Sequence, residues 1–135
     1  MARTAILDRQ SRQAPAEAVV DVSSLHGYVF DLDVDDAAWG TRDASTVAPS
    51  DVVVTLVYHE DGKETGRETH GFCVGARGKD GRPPTISVRR YDRMVETETK
   101  TMSVVPATWP AGTTCTVTVA PRRRMAIGLQ GEEIR

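Results

Sequence analysis

Residues 28–35 read Tyr-Val-Phe-Asp-Leu-Asp-Val-Asp. Phe30, Leu32 and Val34 alternate with Asp31, Asp33 and Asp35. On a helix, residues two apart point some 200° apart, so the apolar set would scatter around the circumference. On a strand, the same set falls on one face and the acids on the other. Residues 113–120, Thr-Thr-Cys-Thr-Val-Thr-Val-Ala, repeat the arrangement, with Cys115, Val117 and Val119 facing inward and Thr114, Thr116 and Thr118 outward.

On either side of these two stretches, period two recurs along most of the chain. Val20, Val22 and Leu25 make a short strand before His26-Gly27. Val52–His59 is almost continuously apolar and β-branched, the pattern of a central strand covered on both faces. Asp61-Gly62 supplies the positive φ angles of a tight hairpin turn. The return strand runs over Glu64–Val74, with Gly66 and Gly71 placed for bulges. Further strands are expected at Thr85–Tyr91, Glu96–Val105 and Met125–Leu129, with a turn at Asp92-Arg93. Residues 36–51, 75–84 and 106–112 carry Gly, Pro, Asp and Ser in loop-like proportions. No strand–helix–strand rhythm appears. The expected fold is therefore all-β: an antiparallel β-sandwich of about eight strands over residues 19–135, with a small β-barrel as the alternative.

Residues 1–18 mix Arg, Gln, Ser and Ala, with Pro15 near the end, and show no clean period. They read as an extended N-terminal arm, with room for a short helix around Ala5–Gln13. This stretch also lacks an apolar signal region, and no apolar run reaches the roughly 20 residues of a membrane helix. The expectation is synthesis in the cytoplasm without a signal peptide, and no membrane partner.

A chain of 135 residues can bury a core without metal or disulfide support. Cys73 and Cys115 are read as buried thiols, with a disulfide between facing strands as the alternative. The immunoglobulin pattern fails, because Trp109 lies just before Cys115 and Thr113 stands two residues ahead of it.

Charge divides along the chain. Residues 21–70 carry eleven acids against three bases, and residues 71–135 carry eleven bases against six acids. Such halves either neutralise one another across paired strands or, on separate surfaces, favour head-to-tail contacts between copies. Asp31, Asp33 and Asp35 would form one contact face and Arg122, Arg123 and Arg124 its complement.

Each chemical motif has a simpler reading. The acids at 31, 33, 35 and 36 could suggest calcium, but carboxylates on one strand face sit about 7 Å apart and do not converge. They read as a solvated or partner-facing stripe. His59 and His70 on the two arms of one hairpin, with Cys73, could suggest zinc, yet no Cys-x-x-Cys pair accompanies them. Gly75, Gly78 and Gly81 precede Pro83-Pro84 and a strand, whereas a phosphate loop enters a helix. No nucleophile motif is present. The arginines lack the aromatic platforms and basic excess of a nucleic-acid surface. No cofactor or metal is expected, and neither is enzymatic activity.

Two functional classes remain. The first is a structural protein that docks on its own copies or on a larger protein lattice, concretely a virion component of the phage decoration, connector or tail kind. The second is a carbohydrate- or peptide-binding module using the loop tryptophans Trp39 and Trp109.

Overall fold

The computed structural model describes residues 3–34, 51–72 and 85–135. Ten strands run through them: β1 Thr4–Arg12, β2 Ala16–Asp21, β3 Gly27–Val34, β4 Val52–Glu60, β5 Lys63–Phe72, β6 Thr85–Arg89, β7 Tyr91–Glu96, β8 Met102–Pro106, β9 Thr114–Pro121 and β10 Met125–Ile134. Every strand pairing is antiparallel. One sheet has the order β1-β10-β3-β6, the other β2-β9-β4-β5, and β7 pairs only with β8. The sheets do not close on one another, so the molecule is a sandwich and not the alternative barrel.

The alternation along β3 and β9 holds in three dimensions. Tyr28, Phe30, Leu32 and Val34 on β3 are buried, and so are Cys115, Val117 and Val119 on β9. Ile127 and Leu129 on β10 complete one inner face, while Val52, Val54, Leu56 and Tyr58 on β4 complete the other. Full burial of each such aliphatic side chain is worth about 2 kcal/mol. β4 is central, as expected, but covered on one face only: Val53, Thr55 and Val57 stay half-exposed. The β4–β5 hairpin forms on Asp61 (φ 51°) and Gly62 (φ 76°). Its register shifts between Tyr58 and His59, where Gly66 and then Glu64 face the partner strand, so the bulge falls beside Gly66.

Three expectations are corrected. Within the stretch 1–18 expected as an arm, the described residues 3–18 do not form one, and no helix forms at Ala5–Gln13. β1 is the edge strand beside β10, and β2 is the edge strand beside β9. Ile6, Leu7 and Val20 pack against the core. The period of β1 is broken by register shifts between Ala5 and Leu7 and between Leu7 and Gln10, and each extra residue flips the faces. The bulged chain lies against Gly128, where a Cβ would stand 2.6 Å from the Leu7 carbonyl oxygen and 2.7 Å from the Arg9 nitrogen.

Next, the strand expected at Glu96–Val105 is two strands. The chain reverses at Thr97–Thr101, where the Thr97 and Thr101 backbones pair and Lys100 takes φ 61°. The turn expected at Asp92-Arg93 is instead part of β7. His59 and His70, which the hairpin could have brought together, lie apart. His70 pairs with Val54, five residues (about 16 Å) along β4 from His59. Cys73 lies outside the described residues.

A candidate docking hairpin and the groove at its root

One end of the sandwich is sewn shut by two chain segments. The Ser24 amide donates to the Trp109 carbonyl (2.9 Å), and the Trp109 amide donates to the Leu25 carbonyl (3.1 Å). The Gly112 amide donates to Ser23 Oγ (2.7 Å), and Thr113 Oγ1 donates to the Pro110 carbonyl (2.7 Å). These bonds turn the Trp109 indole inward, where it is 7% exposed and stacks on Tyr58 with ring centroids 5.5 Å apart. Trp109 is thus a core residue and not an exposed platform. Trp39 lies outside the described residues.

Tyr58 in turn lies beside Cys115 on the neighbouring strand. Burial pushes the Tyr58 phenol above its ordinary range, with the Cys115 and Glu68 side chains adding to the shift. Burial likewise pushes the Cys115 thiol up, to about 12. Both groups are held neutral, and neither is an activated nucleophile.

Four members of the proposed electrostatic faces, Asp31, Asp33, Arg123 and Arg124, have side-chain partners within the chain. Asp31 is buried, pairs with Arg3 and accepts a hydrogen bond from Thr85 Oγ1 (2.6 Å). Asp33 pairs with Arg9 at 3.5 Å. Both arginines come from the β1 end of the sheet and reach over the intervening β10. Arg123 lies 3.8 Å from Asp51, and Arg124 donates to Gln13 Oε1 (2.8 Å). The Arg122 amide donates to the Asp51 carbonyl (2.6 Å). The acids of β3 and the arginines of the β9–β10 turn do not meet, and Asp35 lies outside the described residues. Among the described residues, no three His, Cys, Asp or Glu side chains converge on a point, and no helix is long and apolar enough to cross a membrane.

The feature that stands apart is the β7–β8 hairpin. Its root is fixed at both strands: the Arg90 amide donates to the His26 carbonyl (3.0 Å), and the Ala107 amide donates to the Arg90 carbonyl (3.0 Å). Arg90 also pairs with Glu60 at 2.7 Å, which ties the hairpin root to the end of β4. Beyond the root the hairpin has no further strand partner among the described residues. Each strand can reach about 15–20 Å.

Cross-strand register sorts its side chains. Met94 faces Val104, Glu96 faces Met102, and Tyr91 faces Pro106. Tyr91, Met94, Met102 and Val104 therefore share one face, and all four are exposed, Met94 by 61% and Met102 by 56%. At the tip, the hydroxyls of Thr97, Thr99 and Thr101 lie within 2.7–3.1 Å of one another. Beside the root, a groove of about 660 Å³ runs between the β5 and β6 edges, lined by Tyr58, Glu60, Glu68, Arg89, Arg90 and Trp109 among others. Its acids and arginines balance, so it carries no strong attraction for an anion or a cation.

Sequence reasoning missed this face. The available signal was the polar run Thr97–Thr101 between two apolar patches, Met94-Val95 and Met102–Val105. Comparison with models of known protein families, with curated proteins and with solved structures gave no match for this chain.

Proposed function

We propose that this chain is a non-enzymatic assembly protein that docks on a larger repeating protein structure, in its most concrete form a virion component of the decoration, connector or tail kind. One observation carries the reading: a projecting hairpin with Tyr91, Met94, Met102 and Val104 exposed on a single face. A two-stranded hairpin is marginal by itself, and an apolar face of this kind marks an interaction surface. The reading therefore assigns docking to β7–β8. Thr4–Arg12 and Ala16–Asp21 are committed to the sandwich edges, and the side chains of Asp31, Asp33, Arg123 and Arg124 have partners within the chain.

The ligand-binding alternative no longer has Trp109 as an open platform. It would have to use the groove beside Tyr91, and tryptophan fluorescence titrated with oligosaccharides or peptides reads that directly through Trp109.

The test is sedimentation of lysate from cells that make the chain in its native setting. The wild-type chain is expected in particles far larger than its own 14.7 kDa. A Met94→Ser/Met102→Ser/Val104→Ser variant is expected to remain at low mass. Wild-type protein found only at low mass would refute the proposal.

A further inference from the structure

Among the described residues, the free strand edges carry charges or bulges, with one exception. β1 carries two register shifts and the charges of Asp8, Arg9 and Arg12. β2 carries Glu17 and Asp21. β5 has Lys63, Glu64, Arg67 and Glu68, and β6 ends on Arg89. β7 has Asp92, Arg93 and Glu96. Charges and bulges of this kind keep an open strand edge from pairing with another chain. β8 reads Met-Ser-Val-Val-Pro: it is short and Pro106 blunts its end, but it carries no charge, and among the described residues it has a strand partner on one side only.

We infer that β8 pairs edge to edge with β8 of a second copy of this chain, antiparallel about a two-fold axis at Ser103. The inference rests on the assembly reading above and names one partner within it. The register is self-complementary. With Ser103 opposite Ser103, Met102 of each copy faces Val104 of the other, and no like charges are brought together on the paired strands. The two hairpins become one four-stranded sheet, β7-β8-β8-β7. Because the axis is normal to the sheet, Tyr91, Met94, Met102 and Val104 of both copies lie on the same side and form one apolar face, bordered by Glu96 of each copy. A strand partner also supplies what a lone hairpin lacks, since three or more strands are needed for independent stability.

The size of the contact sets the strength. Edge pairing joins one five-residue strand from each copy, well short of the roughly 800 Å² that a standard interface buries on each partner. The pair is therefore weak and concentration-dependent, of the kind that repetition within an assembly reinforces.

The experiment is cysteine cross-linking of the 135-residue chain, with Cys73 replaced by Ser in every form compared, the wild type included. Ser103→Cys under mild oxidation is expected to give a non-reducing gel band at twice the monomer mass. The wild type and Arg93→Cys, whose residue 93 lies on β7 and is separated from the axis by β8, are expected to give none above background. Val104→Lys places charge opposite Met102 and is expected to abolish concentration-dependent dimerisation in sedimentation equilibrium, with an unchanged circular dichroism spectrum. If Ser103→Cys cross-links no more than the wild type, or if the wild type stays monomeric at every concentration, the self-pairing is overturned. Particle association tells the two readings apart. A monomer that still enters particles through Met94, Met102 and Val104 overturns the pairing and keeps the assembly role. A chain that never enters particles loses the assembly role whatever its dimerisation.

Discussion

Replacing Gly128 by alanine tests whether β1 belongs to the sandwich. The added methyl would stand 2.6 Å from Leu7 O, 2.7 Å from Arg9 N and 2.9 Å from Arg9 Cα. All three are backbone atoms, so no side-chain rotation relieves the contact. If β1 is pushed aside without detaching, the strain falls at the upper end of the overpacking range, about 3 kcal/mol. If it detaches locally, it gives up the partial burial of Ile6 and Leu7, about 1 kcal/mol each. The Arg3–Asp31 and Arg9–Asp33 pairs go with it, at about 0.5 kcal/mol each. Both routes reach about 3 kcal/mol, or roughly 10 °C in Tm for a domain of this size. Urea unfolding measures the total, and hydrogen exchange locates it: amides of Thr4–Arg12 should lose protection about a hundred-fold. The Gly62→Ala variant is the control. Gly62 has φ 76° and nothing within 4 Å of where a methyl would sit, so alanine there costs about 1 kcal/mol through the backbone alone. Asparagine should rescue position 62 and fail at 128. A Gly128→Ala variant as stable as Gly62→Ala would show that β1 does not rest on β10 as described.

Three further outcomes are expected. Trp109→Ala removes the stack on Tyr58 and opens the end of the sandwich, and should cost about 3–5 kcal/mol in urea unfolding; a loss below about 1 kcal/mol would mean the indole is not a core plug. In a Cys73→Ser background, Cys115 should resist alkylation at pH 8 until the protein unfolds. Its thiol is raised from 9.0 to about 12, so the native state holds the proton longer than the unfolded chain does. That contribution is complete below pH 9 and is lost as pH rises towards 12. Tyr58 and Tyr28 are shifted in the same direction by burial. The urea midpoint should therefore fall between pH 8 and pH 10.5, and a midpoint that rises over this interval contradicts the assignment.

What could be read from the chain depended on how local its cause is. β3 and β9 were legible because each buries one face along an unbroken period. The Asp61-Gly62 turn was legible because positive φ is a property of those two residues. β1 was not, because its two register shifts exchange inside and outside twice within nine residues. The β7–β8 turn was not, because its left-handed position is filled by Lys100 and not by Gly or Asn. The candidate site followed the same rule. Alternation put Asp31 on the outer face, as found, but the arginine that covers it comes from residue 3, 28 positions earlier. Trp109 sits in a loop between two prolines, and only its backbone bonds to Ser24 and Leu25 show that it turns inward. The exposed face of the hairpin could not be identified until its register was known.

The adjacency of β1 and β10 also has a bearing on how the chain is made. Thr4 pairs with Gly131 and Arg12 with Met125, contacts that span most of the polypeptide, while β10 lies between β1 and β3. Until residues 125–134 have left the ribosome, β1 has no neighbour, and the β3 edge beside Phe30 and Leu32 is open. The sheet then closes through very long loops, a contact order typical of folding in milliseconds to seconds. During translation the nascent chain presents an unpaired, apolar edge for the whole time taken to synthesise its second half. That interval is when a holding chaperone would protect it most.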